Sequence, residues 1–68
     1  MPIRVTLNGA PREFPAPLTF DQLLHEMELA GRRLAIERNG EIVPRSRFGD
    51  AHLADGDRVE VVMAVGGG

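Results

Sequence analysis

One stretch of this sequence reads as an amphipathic helix, and every other regular stretch reads as strand. Thr19 is placed as an N-cap, and Gln22 three residues on completes a Thr-x-x-Gln capping box. Leu18 before the cap and Leu23 at the fourth helical position are spaced for a hydrophobic staple. Asp21 in the first turn suits the helix dipole. Phe20, Leu23, Leu24 and Met27 recur at i, i+3, i+4 and i+7, which puts them on one face. Gly31 is the expected stop, which makes the helix about ten residues long. A single amphipathic helix must bury that face against another layer, and here the only partner on offer is a sheet.

The strands are marked by period-two alternation. Ile3, Val5 and Leu7 alternate with Arg4, Thr6 and Asn8, and Asn8-Gly9 supplies residues that tolerate positive φ in a hairpin turn. A short return strand over 11–15 points Phe14 inward, and its prolines suit an edge. Leu34 to Arg38 reads as a third strand, followed by a second Asn-Gly turn at Asn39-Gly40 and a short apolar segment, Ile42-Val43, ended by Pro44. Residues 45–54 are irregular, with Phe48 and Leu53 expected to tuck under the sheet as a turn of 3₁₀ helix or a packed loop. After Asp55-Gly56-Asp57, the last strand spans 58–65, with Val59, Val61, Met63 and Val65 on one face. The order predicts an α+β fold: a mixed four- to five-stranded sheet with one crossover helix, the β-grasp arrangement of ubiquitin. The first and last strands would lie side by side at its centre, where β-branched residues are favoured. Residues 1–65 form this domain, and residues 66–68 a flexible tail.

Sixty-eight residues hold one core and no second one. At this size the net stability is roughly 3–10 kcal/mol, a thin margin for carving a substrate pocket of ~300–1,000 Å³. The chain is therefore expected to be acted on by larger proteins and not to be an enzyme itself. A net charge of −2 with three Phe and neither Tyr nor Trp argues against nucleic-acid binding. No apolar run reaches the ~18 residues of a membrane span. Met1 leads straight into a strand pattern, so no signal peptide is expected and the cytoplasm is the expected compartment. Without cysteine there is no thiolate ligand or nucleophile. All eight cations are arginine. That is what a GC-rich genome produces; it also leaves no lysine amine to be acylated by an activated carboxyl group.

Gly66-Gly67-Gly68 at the end of a core strand is the most informative functional feature. Glycine is costly to order, so a run of it does not hold a fold by itself, yet it enters a slot too narrow for any Cβ. Three residues extend about 10 Å at most, enough to deliver a terminal carboxylate into another protein's active site. Taken alone, the run is equally a frayed end. A carboxylate is a poor electrophile, and the glycines lack the Lys and helix of a phosphate-binding loop. Activation would therefore come in trans, by adenylation with ATP. A sulfur nucleophile would then convert the acyl-adenylate to a thiocarboxylate.

Three segments carry a family likeness: Leu7-Asn8-Gly9, then Ala35-Ile36-Glu37-Arg38-Asn39-Gly40-Glu41-Ile42-Val43-Pro44-Arg45, then Asp55-Gly56-Asp57-Arg58-Val59-Glu60-Val61-Val62 leading into Val65-Gly66-Gly67-Gly68. Over essentially its whole length the chain resembles the sulfur carrier proteins of thiamine biosynthesis. The terminal Gly-Gly is shared with molybdopterin-synthase small subunits and ubiquitin-like modifiers, so the Glu-Arg-Asn-x-Glu-Ile-Val stretch discriminates better. The resemblance implies that Gly68 carries the adenylate and then the thiocarboxylate, with Gly66 and Gly67 giving access. It also implies an adenylating partner of the ubiquitin-activating type, a sulfur donor such as a cysteine desulfurase, and thiazole synthase as acceptor. No bound cofactor is implied, since the ATP belongs to the partner; the free chain is expected to be a monomer.

Val62 and Ala64 fall on the face of the last strand opposite Val59, Val61 and Met63. They are candidates for a partner-docking patch near the tail, although single surface apolars on a central strand are common. His25 and His52 are lone imidazoles without a second ligand at a useful spacing, so no metal site is expected. Arg45 and Arg47 face either an acidic partner or solvent. The competing functions are the sulfur-feeding subunit of molybdopterin synthase, a protein modifier conjugated to lysines, and an adaptor whose tail is irrelevant.

Overall fold

A computed structural model describes residues 1–63 of the chain. Five strands form one mixed sheet in the order β2-β1-β5-β3-β4. They are β1 (Ile3–Leu7), β2 (Ala10–Phe14), β3 (Leu34–Arg38), β4 (Glu41–Val43) and β5 (Arg58–Met63), and the helix α1 (Phe20–Glu26) lies between β2 and β3. Each Asn-Gly pair makes a two-residue hairpin, closing Leu7 onto Ala10 and Arg38 onto Glu41. Both asparagines take positive φ, 51° at Asn8 and 53° at Asn39, as do the glycines after them, which is the backbone a twisted hairpin requires. β1 and β5 pair in parallel at the centre. On the outer strand β2, Pro11 removes a donor from the exposed edge and so discourages pairing with other chains.

Alternation puts Ile3, Val5 and Leu7 of β1, Leu34 and Ile36 of β3, and Val59 and Val61 of β5 on the covered face. There they meet Phe20, Leu23 and Leu24 of the helix. Phe48 and Leu53 are buried with them, and residues Arg45–Arg47 form the expected turn of 3₁₀ helix. Full burial of Phe20 or Leu23 stabilises the fold by about 1.5–3 kcal/mol each. Arg38 closes the rim: its guanidinium lies 5.4 Å from the Phe20 ring centroid and donates to the His52 carbonyl at 2.9 Å.

The helix start obeys the sequence. Gln22 N donates to Thr19 Oγ1 at 3.1 Å, and Thr19 N donates to Gln22 Oε1 at 2.9 Å. The remaining first-turn donors are met from a distance, Phe20 N by the Ala51 carbonyl and Asp21 N by the Phe48 carbonyl. The irregular segment thus completes the helix as well as filling the core.

The helix end departs from expectation. It stops at Glu26, and Gly31 is not the residue that ends it. Glu28 takes the left-handed conformation, at φ 60°. Its N–H donates to the His25 carbonyl at 3.0 Å, and the Leu29 N–H donates to the Leu24 carbonyl at 2.7 Å. This is a Schellman cap. Leu29 packs against the core beyond it, as does half-buried Met27, and the need to bury Leu29 sets the stop. Gly31 takes φ 80° in the following turn.

Candidate functional site

β5 runs through the middle of the sheet and is the strand that continues toward Gly68. Val59 and Val61 face the helix layer, which leaves Arg58, Glu60 and Val62 on the open face. The antiparallel register with β3 sets Val62 opposite Ala35 and Glu60 opposite Glu37. On the far side of β3, Ile42 lies opposite Glu37. Ile42 and Val62 are 62% and 53% exposed, and with Met1 they are the exposed large hydrophobic residues among those described. The open face therefore carries two exposed aliphatic side chains and Ala35, with two carboxylates set directly across from one another between them. Like charges so placed repel, and an incoming cation would relieve that. Arg58 beside them shares a shallow depression of about 160 Å³ with Glu37, Gly40 and Glu60.

Side chains hold β5 at its start and again at Val61. At its start, the Asp57 carboxylate is buried, accepts the Ala54 N–H at 2.8 Å and the Asn39 amide at 3.2 Å, and lies 3.7 Å from the Arg38 guanidinium. Asn39 Oδ1 accepts the Arg58 N–H at 2.9 Å. Further along, Asn8 Oδ1 accepts the Val61 N–H at 2.8 Å. Among the described residues no group of three or more His, Asp or Glu is placed to hold a metal ion, and no helix is long and apolar enough to cross a membrane.

Of the residues singled out from sequence, Val62 lies exposed on the open face. Ala64, Gly66, Gly67 and Gly68 lie outside the described residues. Ala35, Glu37, Ile42 and Glu60 were missed as parts of the same face. The signal was available for Ile42: a two-residue turn that closes Arg38 onto Glu41 forces it to the side of Glu37.

Comparison with known proteins agrees with this geometry. The family model described as ThiS family matches residues 5–68. The crystal structure of the thiamine biosynthesis protein ThiS from Geobacter metallireducens superposes with a TM-score of 0.82 at 32% identity, covering 97% of this chain and all of that one. The sulfur carrier protein ThiS of Bacillus subtilis is 38% identical over 50 residues, 74% of this chain and 76% of its own. A thiazole synthase of Paramagnetospirillum magneticum is 41% identical over 66 residues, 97% of this chain, which spans only 20% of that longer protein. With the family model matched over nearly the whole chain and the fold in agreement, the chain belongs to the ThiS family, which includes sulfur carrier proteins of thiamine biosynthesis.

Proposed function

We propose that this chain is a sulfur carrier for thiazole formation, loaded at the carboxylate of Gly68. A partner adenylating enzyme activates that carboxylate with ATP, releasing pyrophosphate. The persulfide of a sulfur donor such as a cysteine desulfurase then attacks the acyl-adenylate and expels AMP, and a thiol reduces the resulting acyl disulfide, leaving the thiocarboxylate and a disulfide. Thiazole synthase takes the sulfur. The observation that carries the reading is the family match, which continues through the terminal glycines to Gly68. A segment similar to nearly the whole chain also occurs within thiazole synthases, where carrier and synthase share one polypeptide; that supports thiazole synthase as the acceptor. The open face bearing Ala35, Ile42 and Val62 is the docking surface for the adenylating enzyme, and Glu37 with Glu60 asks that enzyme for a cation between apolar contacts. Gly66 and Gly67 let the terminus enter a slot that side chains would block.

The test is intact mass after incubation with ATP, a sulfur source and the adenylating partner. The expected product has one oxygen replaced by sulfur, mapped to Gly68. An unchanged mass with a partner that is active on its own carrier would refute the proposal.

A further inference from the structure

The geometry points to Asn8 as a positioning residue that fixes β5, the strand that continues in sequence to Gly68, at Val61. This rests on the carrier reading given above. The parallel pairing of β1 with β5 covers only Thr6 with Arg58 and Leu7 with Val59, after which β1 turns away at Asn8-Gly9. β5 continues to Met63 without that neighbour. The next donor on that side, the Val61 N–H, is taken up by the Asn8 side chain at 2.8 Å. Asn8 also donates its own N–H to the Val59 carbonyl at 2.9 Å. One residue thus continues the ladder a step beyond the strand that supplies it. It can do so because its positive φ, 51°, turns the backbone away while the side chain still points at β5.

Asn39 is the internal comparison. It has the same turn, nearly the same φ and the same use of Oδ1 on a β5 amide, but its target is Arg58 at the beginning of the strand. Asn8 clasps the strand seven residues before Gly68, and Asn39 ten residues before it. A turn asparagine needed only for the hairpin would have no reason to reach β5. One that fixes the strand bearing a reactive terminus matters most at the later clasp. Loss of the Val61 bond leaves docking by the open face intact while loosening the segment that must place the carboxylate. Its effect therefore falls on kcat of adenylation and spares KM.

The experiment compares Asn8→Gly, Asn8→Asp and Asn39→Gly with the wild type. It follows pyrophosphate release with the adenylating partner, and amide exchange by NMR. Glycine suits both turns, and aspartate keeps the acceptor. Asn8→Gly is expected to lower kcat about three- to tenfold, the effect of one hydrogen bond, with KM within about twofold, and to speed exchange at Val61 selectively. Asn8→Asp restores kcat, and Asn39→Gly leaves it near the wild-type value. In the wild type, the Val61 amide exchanges as slowly as the paired amides of β5. Equal losses in Asn8→Gly and Asn39→Gly, no rescue by aspartate, or a fast wild-type Val61 amide would overturn the assignment alone. Absence of pyrophosphate release from the wild type would overturn the carrier reading and this inference with it.

Discussion

Glu28 offers the sharpest test of how this fold is stabilised. It holds a left-handed backbone, at φ 60°, with a side chain attached. That conformation brings Cβ toward the following carbonyl at a cost of roughly 1–2 kcal/mol, which glycine escapes. Glycine in turn has more freedom to lose on folding, worth about 0.4–1 kcal/mol. The two Schellman hydrogen bonds come from the backbone N–H groups of residues 28 and 29 and survive the substitution. Glu28→Gly is therefore expected to stabilise the domain by about 0.5–1 kcal/mol, or ~2–8 °C in Tm for a domain of this size. The substitution also removes a negative charge near the helix C-terminus, where anions are disfavoured by about 0.3–1 kcal/mol. Glu28→Ala separates the two effects, since it removes the charge and keeps Cβ. Thermal and urea denaturation of the three proteins should rank glycine above alanine by about 0.5–1 kcal/mol, and alanine shows the charge effect alone. Glycine equal to or below alanine would refute the claim that Cβ strain, and not charge, limits this cap.

Three further outcomes are expected. Thr19→Ala leaves the Gln22 N–H without its capping oxygen and should cost about 1 kcal/mol by urea denaturation; an unchanged midpoint would show that the Ala51 and Phe48 carbonyls hold the helix start unaided. Val62→Asp places a charge on the open face at a site 53% exposed. Stability should stay within about 0.5 kcal/mol, while KM for adenylation rises ~10-fold or more; normal adenylation kinetics would move the docking surface elsewhere. Fusing an alanine after Gly68 should abolish thiocarboxylate formation by intact mass, and full loading of that variant would break the link between the terminal glycine and the chemistry.

The parts legible in the sequence were those whose cause is local. The capping box, the two Asn-Gly hairpins and the alternation of β5 from Val59 to Met63 each depend on residues within a few positions of one another, and all appear as read; Val65, expected on the same face, lies outside the described residues. The helix end was misread because glycine is the usual signal for a left-handed cap. Here the helix ends at Glu26 and a glutamate two residues on takes that conformation, with Leu29 after it packed against the core. What local patterns could not convey is long-range satisfaction of backbone groups. Nothing near Phe20 says that its N–H meets the Ala51 carbonyl, and nothing near Asn8 announces Val61, 53 residues away. The candidate face was half legible. Val62 followed from period two in its own strand, whereas its neighbours Ala35 and Ile42 required the order in which strands pair.

Concentrating these demands on β5 has a physical reason. On the carrier proposal, a small domain that presents both a docking face and a terminus to another protein gains when the two are rigid with respect to each other, since less ordering then remains to be done on binding. Placing both on one central strand meets that need with few residues. The parallel partner β1 covers only the first part of β5, and β3 covers the whole length from the other side. The strand would otherwise be weakest near its end, where precision matters most. Asn8 supplies the missing neighbour at Val61, while Asn39 acts at Arg58, the beginning of the strand. Both sit in hairpins that the fold requires in any case.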